Sequence, residues 1–122
     1  MKRQVRRQWN LSDAELEEVS SWARAIVQGD AAWTWDSAQV ARAYAEVEVR
    51  WQGELVRMDR VVQDKQGAWL ILDFKSSRYP NQQPEGVEQV KRYVQAWSVA
   101  YPNATVKGSL VGSDGHLWPV NA

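Results

Sequence analysis

The stretch Trp69–Ser77, WLILDFKSS, decides how the rest of the chain is read. Four largely apolar residues run straight into an acid, an aromatic and a lysine. A short apolar run bounded by turn formers reads as a buried strand. Side chains alternate along a strand, so Asp73 and Lys75 share one face while Phe74 points to the other. Their Cα atoms then stand roughly 6–7 Å apart. A buried strand therefore delivers a carboxylate and an ammonium to one side of a sheet, at its end.

Upstream, the alternation in AYAEVEVRW sets Ala45, Val47, Val49 and Trp51 against Glu46, Glu48 and Arg50, which predicts a strand from Ala43 with one buried face. Gln52 and Gly53 predict a tight turn, ELVRMDRVV a second strand and QDKQG a further turn. Such short connections make the three strands antiparallel neighbours, a meander. Downstream, SRYPNQQPEG reads as a loop and VEQVKRYVQAWSVAY as a helix. Val87, Val90, Val94, Trp97, Ser98 and Tyr101 trace one stripe of it, with Pro102 beyond its end. ATVKGSLVG and HLWPV predict two more strands joined at Ser113, Asp114 and Gly115. At the other end, Ser12 and Glu15 form a capping box for a helix carrying Leu16, Val19, Trp22, Ala23 and Ile26, with Gly29 as its stop. DAAWTWDSAQ between them reads as a loop or short turn. The expected architecture is α+β (mixed α/β), in the order α-β-β-β-α-β-β, with helices packed on a small mixed sheet.

Composition sets the limits. The chain has 122 residues, reads as one domain over 1–122, and is long enough to bury about 65–70% of its unfolded surface. Hydrophobic residues make up 44% and charged residues 25%, as in an ordinary folded protein. Cysteine is absent, which removes disulfide scaffolds, thiolate zinc sites and cysteine nucleophiles. No apolar run approaches the roughly 20 residues of a membrane span. The basic start MKRQVRRQWN has no apolar segment behind it, so it does not read as a secretory signal. A cytoplasmic protein without a membrane partner is the expectation. Net charge is zero, which argues against nonspecific, charge-driven DNA binding but leaves room for a local basic surface.

Chemistry concentrates in few places. RMDRVV puts Asp59 in an otherwise apolar strand beside the one that ends in Asp73. Two carboxylates at the ends of neighbouring strands repel each other unless a positive group intervenes. A hard divalent cation with oxygen ligands resolves this, and a lysine beside it supplies charge for a phosphate or orients water. A structural salt bridge of Lys75 with one or both aspartates is the plainer alternative. Gln89 and Tyr93, four apart, lie on one face of the following helix. Ser77 has no histidine near it in sequence, so a serine nucleophile finds no support. Arg3, Arg6 and Arg7 read as a solvated basic terminus.

MDRVV, WLILDFKSS and QVKRY, in this order and spacing, resemble the PD-(D/E)XK nuclease superfamily, and within it the carboxyl-terminal nuclease domains of RecB and AddA helicase–nucleases. The resemblance runs from about Trp33 to Leu117. It implies a restriction-endonuclease-like core and DNA phosphodiester hydrolysis, either as an exonuclease domain of a helicase–nuclease of recombinational repair or as a stand-alone relative. Asp59 and Asp73 match the metal-binding aspartates, Lys75 the catalytic lysine, and Gln89 and Tyr93 the helix motif beside the active centre. Mg²⁺, or Mn²⁺, is the implied cofactor, with the main-chain carbonyl of Phe74 as a further ligand. Glu46 matches a first-strand glutamate, and Glu48 takes its place if the register slips by two. DNA is the implied partner, together with a helicase domain or subunit, because no nucleotide-binding glycine loop is present in this chain. Two departures stand out. The upstream histidine of such domains has no counterpart, since the single histidine is His116 in the last hairpin, and Val56 stands where a glycine is usual. The competing expectation is a nuclease-like module that binds DNA ends or a partner protein without cutting.

Overall fold

The computed structural model describes residues 21, 24–25 and 28–121. The helix expected from Ser12 falls mostly outside them; Ser21, Arg24, Ala25 and Gln28 are helical. Five strands follow: β1 (Val40–Trp51), β2 (Glu54–Asp64), β3 (Trp69–Phe74), β4 (Val106–Val111) and β5 (Leu117–Val120). One long helix, α1 (Pro84–Ala100), connects β3 to β4. The strands form a single mixed sheet in the order β1-β2-β3-β4-β5. Only the β3–β4 pair is parallel, as a strand–helix–strand connection requires.

Local chemistry explains the turns. Gln52 and Gly53 both take positive φ, 51° and 81°, which is the geometry of the two-residue hairpin turn between β1 and β2. Asp64 closes the next turn, its Oδ1 accepting from the N–H groups of Gln66 and Ala68. Ahead of β1, Ala32–Trp35 form one 3-10 turn, and Asp36 then accepts from the Ala38 N–H and the Gln39 side chain.

Three boundaries differ from expectation. β1 begins at Val40 rather than Ala43, because backbone pairing with Gln63 and Asp64 continues past Ala41 and Arg42, whose side chains are exposed and carry no alternation. α1 begins at Pro84 rather than Val87. Proline is well suited to the first helical position, where its missing N–H costs nothing, although in sequence it reads as a breaker. Tyr101 lies just past the helix and is 37% exposed, but its ring still continues the apolar stripe against Trp69 and Trp97.

The core lies between α1 and one face of the sheet. Val90, Val94 and Trp97 pack there against Met58, Val61, Trp69, Ile71 and Leu110. Trp69 is wedged among Trp97, Tyr101 and Tyr44, with ring centroids 5.2, 5.0 and 6.3 Å away. The opposite face is covered at Leu72 and Val111 by Ala31. β1 also departs from simple alternation: Ala45 is exposed, while Tyr44 and Val47 both reach the α1 side of the sheet. Those two residues are an odd number apart, so the strand changes phase between them, at Glu46, whose φ is 53°. β2 does the same, since Met58 and Val61 enter one core cluster. Register survives because the two distortions face each other, between the pairs Ala45↔Arg60 and Val47↔Met58.

Gly108 sits beneath the helix, where a Cβ would come within 2.4 Å of Val90 Cγ1 and 2.8 Å of Val94 Cγ2. Gly108→Val should therefore lift α1 from the sheet and destabilise the fold by about 1–3 kcal/mol, read from the urea unfolding midpoint. An unchanged midpoint would show that this contact does not set the helix–sheet distance.

Candidate active site

The phase change in β2 sets the geometry of the site. The last paired residues of β2 and β3 are Arg60 and Leu72; beyond them the ladder is replaced by a side chain. Asp59 Oδ2 accepts the Phe74 N–H at 2.9 Å, so a carboxylate satisfies the donor that the next rung would have used. Following the phase of Val61, Asp59 turns to the α1 face, where Asp73 also lies.

Asp73 is only 4% exposed. Its Oδ2 makes no directed hydrogen bond although it is buried, and its counter-charge is Lys75 Nζ at 3.1 Å. Burial pushes the Asp73 carboxyl up to about 6. The neighbouring Asp59 adds to the rise, and Lys75 opposes it.

Lys75 follows β3 directly, its N–H still bonded to the Val111 carbonyl at 2.9 Å. Its ammonium also donates to Gln89 Oε1 at 3.4 Å. Tyr93 is 3% exposed. Burial, then the charges of Asp73 and Asp59, raise its phenol to about 12, with Arg92 and Gln89 opposing the rise. Asp59, Asp73, Lys75, Gln89 and Tyr93 thus come together where β2 and β3 part beside α1. On the outer side of the lysine a cavity of about 630 Å³ opens, lined by Gln82, Gln83, Glu85, Gly86 and Gln89.

Glu46 does not join them. It occupies the position across from Asp59, but its carboxylate is exposed and paired with Arg57 at 2.9 Å. Glu48 is exposed on the same strand. Among the described residues no group of three His, Cys, Asp or Glu side chains is placed to hold a metal ion. The oxygen donors brought together are the carboxylates of Asp59 and Asp73, a pair of the kind that suits a hard cation retaining several waters. His116 is bound to Asp30, Nδ1 to Oδ2 at 2.7 Å, and lies against Trp118.

Sequence reading overlooked two residues. Arg60 crosses to the opposite face, stacks 3.5 Å over Trp35 and donates to the Thr34 carbonyl at 2.9 Å. That contact ties WTWD to β2, and its signal was a basic residue beside Asp59. Gly86 packs against the Lys75 side chain; in sequence it looks like part of a loop.

Residues 37–115 match the sequence model of a family described as Endonuclease NucS C-terminal domain. The chain belongs to that family. The matched span runs from just before β1 through β4 and contains every residue of the cluster but not His116. Membership brings a restriction-endonuclease-like fold within the PD-(D/E)XK superfamily and suggests a nuclease-like, DNA-binding domain. The likeness to RecB and AddA is one level finer than this match. Among curated proteins no relative matches the chain.

The raised Asp73 carboxyl has a stability consequence. Its folded value of about 6 lies above the ordinary 3.8, so between those values the native state holds more protons than the unfolded chain. Stability then falls as pH rises through that window, and ionising Asp73 costs the fold up to about 3 kcal/mol at pH 7. Asp73→Asn should stabilise the protein at pH 7, with the gain shrinking towards pH 4. Urea unfolding at each pH unit checks this; a loss of equal size at every pH would contradict it.

Proposed function

We propose that the domain hydrolyses DNA phosphodiester bonds with a divalent metal ion, Asp59 and Asp73 acting as the protein's metal ligands. The observation that carries this reading is the buried Asp73 carboxylate held against the half-buried, like-charged Asp59 with Lys75 beside them, in a chain of the NucS C-terminal family. An unneeded pair of this kind would be a pure cost to the fold, and a dication would turn repulsion into ligation. The main-chain carbonyl of Phe74 is the third oxygen, and Mg²⁺ or Mn²⁺ fits such donors. When bound, the ion supplies Lewis-acid stabilisation of phosphate charge and lowers the pKa of coordinated water.

The chain's own residues supply the rest. Lys75 Nζ presents a cation towards the cavity, where it neutralises a phosphate oxygen and orients the attacking water. Gln89 holds the ammonium in place by accepting one of its protons. Tyr93 keeps its proton at neutral pH, its phenol being raised to about 12, so it serves as a donor or a wall and not as a base. Glu46, exposed and paired with Arg57, has no role in this reading.

Two contexts remain for the domain within a larger assembly. The matched family is named for an endonuclease, whereas a RecB- or AddA-like exonuclease would work beside a helicase. Covalently closed circular DNA separates them, because an exonuclease needs an end. A second reading, a module that binds DNA or a partner without cutting, is favoured by the lack of a third acidic or imidazole ligand among the described residues.

Cleavage of linear and circular DNA, single- and double-stranded, should require Mg²⁺ or Mn²⁺ and stop with a chelator. Mn²⁺ should be the better of the two. Asp73→Ala should abolish cleavage and Lys75→Ala should lower kcat about 10²–10³-fold, with His116→Ala near native. Activity should fall as pH drops through about 6, where protons compete with metal for Asp73. DNA binding without cleavage by the native chain in either metal would favour the non-cutting module.

A further inference from the structure

Gly86 occupies the third position of α1, after Pro84 and Glu85, and is buried. Glycine is a poor helix former, and nothing in its backbone demands one here. Gly53, Gly67 and Gly115 take positive φ, and Gly86 does not, so an alanine would follow the same path with better helix propensity. Close packing of helix on sheet does not account for it either. A Cβ at Gly86 would meet Leu110 Cδ2 at 3.6 Å, an ordinary contact, in contrast to the overlap found at Gly108. The tight neighbour is Lys75: its Cε would lie 3.3 Å from that Cβ and its Nζ 4.0 Å.

The end of the Lys75 side chain therefore runs across the bare α-carbon of Gly86. From there the ammonium reaches Asp73 Oδ2 at 3.1 Å and Gln89 Oε1 at 3.4 Å. Gly86 and Gln89 are three apart and share a helix face, one beneath the stem of the lysine and the other at its head. We infer that Gly86 is a positioning residue: its missing side chain forms the slot through which Lys75 reaches Asp73. A methyl group there displaces the stem by a few tenths of an ångström, and a branched side chain displaces it further. The displaced ammonium swings out towards the adjoining cavity, away from the carboxylate pair. Helix propensity is given up at one position so that a flexible lysine has one place to lie.

The catalytic part of this inference rests on the nuclease reading, but the position of Lys75 can be measured without it. Acetylation of the native protein and of the Gly86→Ala, Gly86→Val and Gln89→Ala variants by an N-hydroxysuccinimide ester, followed by peptide mass spectrometry, reports the accessibility of each lysine. Lys75 should react several-fold faster in Gly86→Val than in the native chain and by a smaller factor in Gly86→Ala, while Lys91 and Lys107 stay unchanged. Gln89→Ala, which releases the head of the lysine, is the positive control. Gly86→Ala should keep or raise Tm, which separates displacement of the lysine from loss of fold. In the cleavage assay Gly86→Val should lower kcat about tenfold or more with KM nearly constant, and should add little to Lys75→Ala. A Lys75 acetylation rate within a factor of two of native in both glycine variants overturns the inference, whether or not the chain cuts DNA. Faster acetylation in a chain that cuts nothing upholds the slot and defeats the nuclease reading alone.

Discussion

The hydrogen bond from the Phe74 N–H to Asp59 Oδ2 is the interaction on which the rest of the site depends. It stands at the point where β2 stops pairing with β3, and it exists only because β2 changes phase there. A regular strand that kept Met58 in the core would turn both Val61 and Asp59 to the opposite face. Glu46, across from Asp59 on β1, takes the compensating distortion at φ 53°, a conformation that costs a non-glycine residue about 1–2 kcal/mol. Strain and charge repulsion are thus concentrated at one level of the sheet, as expected where function competes with stability.

Helix α1 then joins core and site in one rigid element. Its Val90, Val94 and Trp97 are seated on the sheet, the first two directly over Gly108, and this fixes the rotation of the helix about its axis. With rotation fixed, Gly86, Gln89 and Tyr93 fall towards Lys75 and Asp73. The site needs no separate scaffold. The hydrophobic stripe that holds the helix down is also what aims the polar residues. The hairpin of β1 and β2 reaches the same helix from the far side, where Glu54 pairs with Arg92.

Charge is handled locally. The chain is neutral overall, and many of its cations are already paired: Arg57 with Glu46, Arg92 with Glu54, Lys91 with Glu88 and Arg78 with Asp114. Most of these pairs are solvent-exposed and contribute little to stability. Lys75 differs, being the partly buried cation of a carboxylate pair that carries more negative charge than it can balance. The described tryptophans are mostly structural. Trp69 and Trp97 fill the core, and Trp35 lies under the guanidinium of Arg60.

The sequence by itself determined the kinds of element and their order along the described chain. Alternation in Val47, Val49 and Trp51, the apolar run Trp69–Leu72 and the helical stripe Val90, Val94 and Trp97 each report burial with the period of one backbone type, and that information is local. It also marked Asp59, Asp73, Lys75, Gln89 and Tyr93 as residues of interest, since acids and a lysine beside apolar strands stand out from their surroundings. Alternation also set Asp59 beside the strand that ends in Asp73, so their meeting was expected. Only the tertiary structure decided the contacts that hold them: periodicity assumes a regular strand, so it placed Ala45 inward and carried no sign of the phase change at Glu46 that keeps Met58 and Val61 on one face. The exclusion of Glu46 depends on Arg57 of the neighbouring strand, and the fit of Lys75 over Gly86 on a helix eleven residues away. Such contacts join residues distant in sequence, and a one-dimensional pattern carries no record of them.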